Sequence, residues 1–369
     1  MDRQGGYTWN HYGKGSAIGF DVCLTFELAW CLHSPICYPM LQVLISRTGP
    51  PAEVAEIAEI PMPVPGPGEV SIRMVAAPVN PADLNFLEGT YGKKAVLPCV
   101  PGMEGAGVVE AVGHDVTDLK PGMPVMPVGV VGNWTARRVL PASAVLPLPA
   151  GIDMRQAAML SVNPATAWGL LHAAGTPASG AWVAQNAASS AAGHCVIQIA
   201  KVLGLRTVNF VRRPESAAAC RELGADLVFT DDADGLAAAK AALAEQHVPV
   251  VPLLALNAVG GDSALRLLDL LGMGGTHVTY GAMGRQALKV PNGMLIFKTL
   301  TLRGFWLNQW QASLPREEEA ELYAKLADWV VSGHLRQEIA AMYPLTEIKA
   351  ALAHAGQSAR GGKVLLDIS

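Results

Sequence analysis

The apolar positions of this chain change their rhythm once. From Met40 to about Ala150 they fall in short β-rich runs cut by turns. Met40-Leu41-Gln42-Val43-Leu44 reads as a first strand, and Glu69 to Ala76 alternates after Pro65-Gly66-Pro67-Gly68. Gly105 to Gly113 is closed by a turn through His114 and Asp115, and Leu119 to Val125 leads into a further strand. From about Ser161 to Gly304 short apolar strands alternate with helical stretches instead. Ala225 to Phe229, Val250 to Asn257 and Gly275 to Gly281 are such strands, and this pattern predicts a parallel sheet covered on both faces. The fold class expected is therefore α/β, a β-rich domain joined to a doubly wound, Rossmann-type parallel sheet. Residues 1–39 fit neither rhythm and are expected to form an unstructured extension. Asp21 and Glu27 interrupt their apolar part, which argues against a membrane span, and they lack the arginine-rich, acid-poor character of a mitochondrial transit peptide.

The densest information lies between residues 180 and 214. A strand, Ala181 to Asn186, runs into a turn of small residues, Ala187-Ala188-Ser189-Ser190-Ala191-Ala192-Gly193. A helix from about Ser190 to Leu203 follows and stops at Gly204, and a second strand, Leu205 to Val211, ends in Arg212 and Arg213. Small side chains let backbone N–H groups at the start of a helix approach a pyrophosphate. An acidic residue at the end of the second strand would bind a ribose 2′-hydroxyl; two guanidiniums match a 2′-phosphate, so the expected cofactor is NADPH.

Composition narrows the partners. A chain of 369 residues suggests two domains, and a formal charge of -4 without any Lys/Arg run gives no field for nucleic acid. The six cysteines, at 23, 31, 37, 99, 195 and 220, form no C-x-x-C pair and no repeated spacing, which argues against a zinc module or a disulfide framework and suggests a reducing, cytoplasmic setting.

Several motifs carry a resemblance beyond the cofactor unit. Val79-Asn80-Pro81-Ala82-Asp83, Pro101-Gly102-Met103-Glu104-Gly105-Ala106-Gly107 and the C-terminal Gly362-Lys363-Val364-Leu365-Leu366 resemble the medium-chain dehydrogenase/reductase superfamily from about Met40 to Ser369. That resemblance implies a GroES-like catalytic domain over 40–160 and 311–369 around a Rossmann domain over 161–310. Zinc members hold their metal through cysteine and histidine. Here Asn80 and Met103 stand where those ligands would be and the four-cysteine lobe is missing, so the chemistry is expected to need no metal.

Within the superfamily the chain resembles the mitochondrial-type 2-enoyl thioester reductases. The resemblance rests on Glu88-Gly89-Thr90-Tyr91-Gly92, Val162-Asn163-Pro164-Ala165-Thr166-Ala167, Gln185-Asn186-Ala187, Val278 to Met283, and Leu302-Arg303-Gly304-Phe305-Trp306-Leu307-Asn308-Gln309-Trp310. Such enzymes add a hydride from NADPH to the β-carbon of a trans-2-enoyl thioester, and the charge pushed onto the thioester oxygen needs hydrogen-bond donors in a dry site. By position the resemblance makes Tyr91 the proton donor and Trp306 a wall of the acyl pocket. It places Asn163 beside the nicotinamide and Ser189, Ser190, Ala191 and Ala192 at the pyrophosphate. Arg212 and Arg213 fall at the 2′-phosphate, and Tyr280, Gly281, Ala282, Met283, Phe305, Trp306, Leu307, Asn308 and Lys363 at other cofactor contacts. The substrate would be an enoyl thioester of coenzyme A or of acyl carrier protein, and the assembly a homodimer built on the parallel sheet near Thr299 to Leu302. Two other readings stand beside this one, a zeta-crystallin-like NADPH quinone or enone reductase of the same fold and an NADPH-binding protein without turnover.

Overall fold

The computed structural model describes residues 39–246, 251–358 and 360–369. The expected extension, with Cys23, Cys31 and Cys37, lies outside these residues except for Pro39, which opens the strand Pro39–Ile45.

The cofactor half is a six-stranded parallel sheet. Counted in chain order its strands are Trp182–Gln185, Arg206–Val211, Leu227–Thr230, Leu254–Asn257, Thr276–Thr279 and Thr301–Gly304, and they lie side by side as 3-2-1-4-5-6. The order reverses between the first and fourth strands, where open α/β sheets leave a crevice at the strands' C-terminal ends. Both of those central strands are buried at every residue, which is why neither alternates: three apolar residues run in each up to a buried amide, Gln185 or Asn257, at the C-terminal end. Helix Ala191–Val202 makes the first crossover, with Cys195, Val196, Ile199 and Ala200 in the core. It ends where Gly204 takes a φ of 69°, a left-handed backbone that glycine adopts without steric cost.

The other half is built around the long strand Glu69–Val79. Ala106–Val112, Arg137–Pro141 and, from the far end of the chain, Lys363–Asp367 all pair antiparallel with it. The last of these registers Val364 on Val79, so the C-terminal strand is seated directly before Asn80. Helix Asn163–Leu171 bridges the two halves. Its fully buried Leu170 and Leu171 share one core with Val183 from the parallel sheet, Val196 from helix Ala191–Val202, and Ala76 and Leu365 from the antiparallel sheet. Burial of this kind contributes about 1.5–3 kcal/mol per leucine, so the helix is held firmly between the two sheets.

Candidate active site

The turn after the first strand is shaped for an anion. Ala187 adopts a φ of 48°, and a side chain at Gly193 would put its Cβ 2.5 Å from the Ala188 carbonyl oxygen, so only glycine lets the helix start this close to the turn. Ser190 caps the helix, its Oγ accepting from the Gly193 N–H at 3.1 Å. The N–H groups of Ser189, Ala191 and Ala192 have no acceptor among the described residues and remain for a phosphate oxygen. Beyond the second strand Arg212 is exposed and makes no ion pair among the described residues, while Arg213 lies 3.5 Å from the Glu215 carboxylate. The pair is thus available to a doubly charged phosphate group. The crevice floor is cross-linked: Asn186 Nδ2 donates to Asn257 Oδ1 and to Ser263 Oγ, both at 2.8 Å, and its Oδ1 accepts from the Ala258 N–H at 2.7 Å. Tyr280 stands at the end of the fifth strand, its hydroxyl buried without a partner among the described residues and its pKa raised by burial. Gly281 beside it is pressed on Ala258, whose carbonyl oxygen a Cβ would approach to 2.9 Å. A buried hydroxyl without a partner, a phosphate-shaped turn and two neighbouring guanidiniums, one unpaired among the described residues and one in a long 3.5 Å pair with Glu215, fit a dinucleotide phosphate.

Tyr91 and the aromatic segment converge although 215 residues separate them. Helix Pro81–Glu88 ends in Gly89 at a φ of 75°, and the N–H groups of Thr90 and Tyr91 both fold back onto the Asn85 carbonyl, at 2.9 and 3.0 Å. On the other side the strand Thr301–Gly304 runs out and helix Leu307–Ala312 begins, with Trp306 at its N-cap. Trp306 Nε1 donates to Tyr91 Oη at 3.1 Å, and Tyr91 Oη donates to Asn308 Oδ1 at 3.4 Å. The rings meet edge to face, 6.2 Å between centroids at 76°. A hydroxyl that accepts from an indole N–H is polarised toward donating its own proton, and its present acceptor, at 3.4 Å, is long enough to be exchanged for a stronger one. Phe305 is placed differently from its neighbours. Its ring packs on Gly169, where a Cβ would come within 2.6 Å of Cζ, and on Trp310. Leu307 likewise packs against the core, whereas Ala282 and Met283 are exposed.

Asn163 opens the bridging helix and is buried, its Nδ2 donating to Gln337 Oε1 at 3.0 Å. Lys363 is buried as well, and its ammonium donates to Asn80 Oδ1. Asn80 Nδ2 donates to Glu104 Oε1 at 2.9 Å, while Glu104 Oε2 accepts from the Val162 N–H at 2.8 Å and from Ser161 Oγ at 3.3 Å. Asp83 accepts from the N–H groups of Asn80, at 2.8 Å, and Met103, at 2.9 Å. Burial pushes the Asp83 carboxyl up to about 7, pushes Glu104 upward and pushes the Lys363 ammonium downward. Among the described residues no three His, Cys, Asp or Glu side chains converge as metal ligands. A lysine ammonium already faces the two carboxylates, and it would repel a divalent cation. The sequence marked Lys363 as a cofactor contact and Asn80, Met103 and Glu104 only as places without metal ligands. Asp83 and Asn186 stood in motifs that carry the resemblance but without a role, and the joining of these residues into networks, with Asn257 and Gln337, had no sequence signal, because Lys363, Asn80, Glu104 and Gln337 come from distant parts of the chain.

Two family models match the chain, the alcohol dehydrogenase GroES-like domain over residues 66–150 and the zinc-binding dehydrogenase domain over 191–329. The chain is 40% identical over 309 residues to the human mitochondrial enoyl-[acyl-carrier-protein] reductase, covering 82% of each chain. Among solved structures it is similar to the complex of Etr1p of Candida tropicalis with NADP and crotonyl-CoA, at 27% identity and a TM-score of 0.80, covering 89% of this chain and 99% of that one. It is also similar to a putative NADPH:quinone reductase from Bacillus thuringiensis, at 26% identity and a TM-score of 0.81 with the same coverage. These curated relatives, from animals, Dictyostelium and Arabidopsis, are mitochondrial by name, which overturns the expectation of a cytoplasmic protein. Cysteine usage reports the redox state of a compartment, and reducing conditions are not confined to the cytoplasm.

Proposed function

This chain belongs to the medium-chain dehydrogenase/reductase superfamily, among its mitochondrial-type enoyl thioester reductases, and on that premise we propose how its residues divide the work. It is an NADPH-dependent, zinc-independent oxidoreductase that reduces trans-2-enoyl thioesters to acyl thioesters. Residues 40–160 with 311–369 form the catalytic domain, and 161–310 the cofactor domain. The N–H groups of Ser189, Ala191 and Ala192 with the Ser190 cap hold the pyrophosphate, and Arg212 and Arg213 hold the 2′-phosphate. Asn163, Tyr280 to Met283, the backbone of Phe305 to Asn308, and Lys363 from beneath line the nicotinamide half. NADPH, when bound, supplies the hydride that goes to the substrate's β-carbon.

Tyr91 holds the proton. Its hydroxyl, fed by the Trp306 N–H and resting on Asn308, exchanges that resting acceptor for the thioester side of the substrate as negative charge develops there. Trp306 has a second task, because 42% of it is exposed, enough to wall an apolar acyl chain. The meeting of Tyr91, Trp306 and Asn308 is the observation that carries this reading. The test is NADPH oxidation followed with crotonyl-CoA and, separately, with a quinone. Turnover should be much faster with the thioester; activity with the quinone alone would return the chain to the quinone reductases, and activity with neither to a binding role.

A further inference from the structure

Behind Asn163 stands a side chain that the reaction as described leaves idle. Gln337 lies just before the strand Ile339–Pro344 and is 4% exposed. Its Nε2 donates to the Met159 carbonyl at 2.8 Å, and its Oε1 accepts from Asn163 Nδ2 at 3.0 Å. A carbonyl oxygen can only accept, so Gln337 must present its NH2 group to Met159 and therefore its oxygen to Asn163. Asn163 must in turn answer with its own NH2 group. The Asn163 Oδ1 is then left with no donor among the described residues.

The backbone under Gln337 is held by two further glutamines. Gln156 accepts from the Gln337 N–H at 2.9 Å and donates to its carbonyl at 3.0 Å. Gln198 does the same for Arg336, accepting at 2.9 Å and donating at 3.0 Å. Each side-chain amide thus stands in for a neighbouring strand and satisfies both backbone groups of one residue. Gln198 belongs to helix Ala191–Val202, whose N-terminus forms the pyrophosphate turn. The segment 336–337 is therefore tied to the element that seats the phosphates.

We propose that Gln337 is a positioning residue for the nicotinamide half of the cofactor. It fixes the Asn163 amide in the one orientation that offers an oxygen, an acceptor for a carboxamide N–H or ribose O–H group. The inference rests on the reading of Asn163 as a nicotinamide contact.

Three variants test it, each measured for affinity toward NADPH and toward adenosine 2′,5′-bisphosphate, which lacks both the nicotinamide and its ribose. Asn163→Ala comes first: it should weaken NADPH by about tenfold, the cost of one lost hydrogen bond, and leave the fragment unmoved. If it does not weaken NADPH, the reading of Asn163 fails and the inference with it. Gln337→Met keeps the length and loses both bonds, so it should weaken NADPH about as much as Asn163→Ala while the fragment still binds as in the native protein. The two changes combined should be no worse than Asn163→Ala alone. Gln337→Glu, held as the neutral acid at so buried a position, keeps an O–H for the Met159 carbonyl and an acceptor toward Asn163, and should hold NADPH within about threefold of native, whatever happens to the methionine variant's folding. Equal loss of fragment and NADPH in Gln337→Met, no loss of either, or a Gln337→Glu variant as weak as Asn163→Ala would overturn the proposal.

Discussion

The proposed role of Tyr91 rests on one atom, and its surroundings say what removing that atom should do. Tyr91→Phe keeps the ring that meets Trp306 edge to face and deletes only the hydroxyl that Trp306 and Asn308 share. Folding and NADPH binding should survive, and steady-state turnover of crotonyl-CoA should fall by about two to four orders of magnitude, the range for losing a positioned acid or oxyanion donor. Unchanged turnover would remove the hydroxyl from the reaction, and a loss confined to KM would reduce it to a binding contact. Asn80, Glu104 and Lys363 show how a buried polar cluster is kept affordable. Each charged group has hydrogen-bond partners, and Asn80 bridges the Lys363 ammonium to the Glu104 carboxylate.

At the scale of elements, the second strand of the parallel sheet delivers Arg212 and Arg213 to its C-terminal end, beside the turn of the neighbouring strand proposed to seat the pyrophosphate. Replacing both with alanine should weaken NADPH by roughly tenfold to a hundredfold per arginine while NADH binding hardly moves, as titration by fluorescence would record. Equal binding of the two cofactors by the native protein would contradict the assignment. The fifth strand carries a different liability. His277 is buried with both ring nitrogens unpartnered among the described residues, and burial lowers its pKa from 6.5 to about 4. Between those values the unfolded chain binds a proton that the native one refuses. The His277 contribution is therefore complete above pH 6.5 and is lost as pH falls toward about 4. Asp83 acts in the opposite sense, since its raised pKa makes the native state the better proton binder up to about 7. Comparison with His277→Val isolates the histidine. Urea midpoints of the native protein should drop faster on acidification than those of the valine variant, and parallel curves would show that His277 does not titrate on unfolding.

For the whole molecule, the sixth strand, Thr301–Gly304, has a neighbour on one side only among the described residues, and all four of its residues are exposed. Exposed Ile296 and Phe297 lie close before it in the chain. Pairing of two such edges across a two-fold axis would cover unpaired backbone groups and apolar side chains together. Light scattering at micromolar concentration should give twice the 38.7 kDa chain mass; a monomer would reject the arrangement. What the sequence could determine by itself was local in origin. The strand, small-residue turn, helix and arginine pair lie within 35 consecutive residues, and their form follows from turn sterics, helix capping and apolar periodicity, forces that act over a few positions. Motif resemblance extended this to Tyr91 and Trp306, one residue at a time. Only the tertiary structure decided that Tyr91 Oη would sit between Trp306 and Asn308, that Lys363 would reach Asn80 across 283 positions, and that Gln337 would orient Asn163 across 174. Those meetings depend on the register of the C-terminal strand on Val79 and on the packing of the bridging helix between two sheets. No stretch of chain encodes these alone, because they are fixed by where whole elements find room to bury their apolar faces.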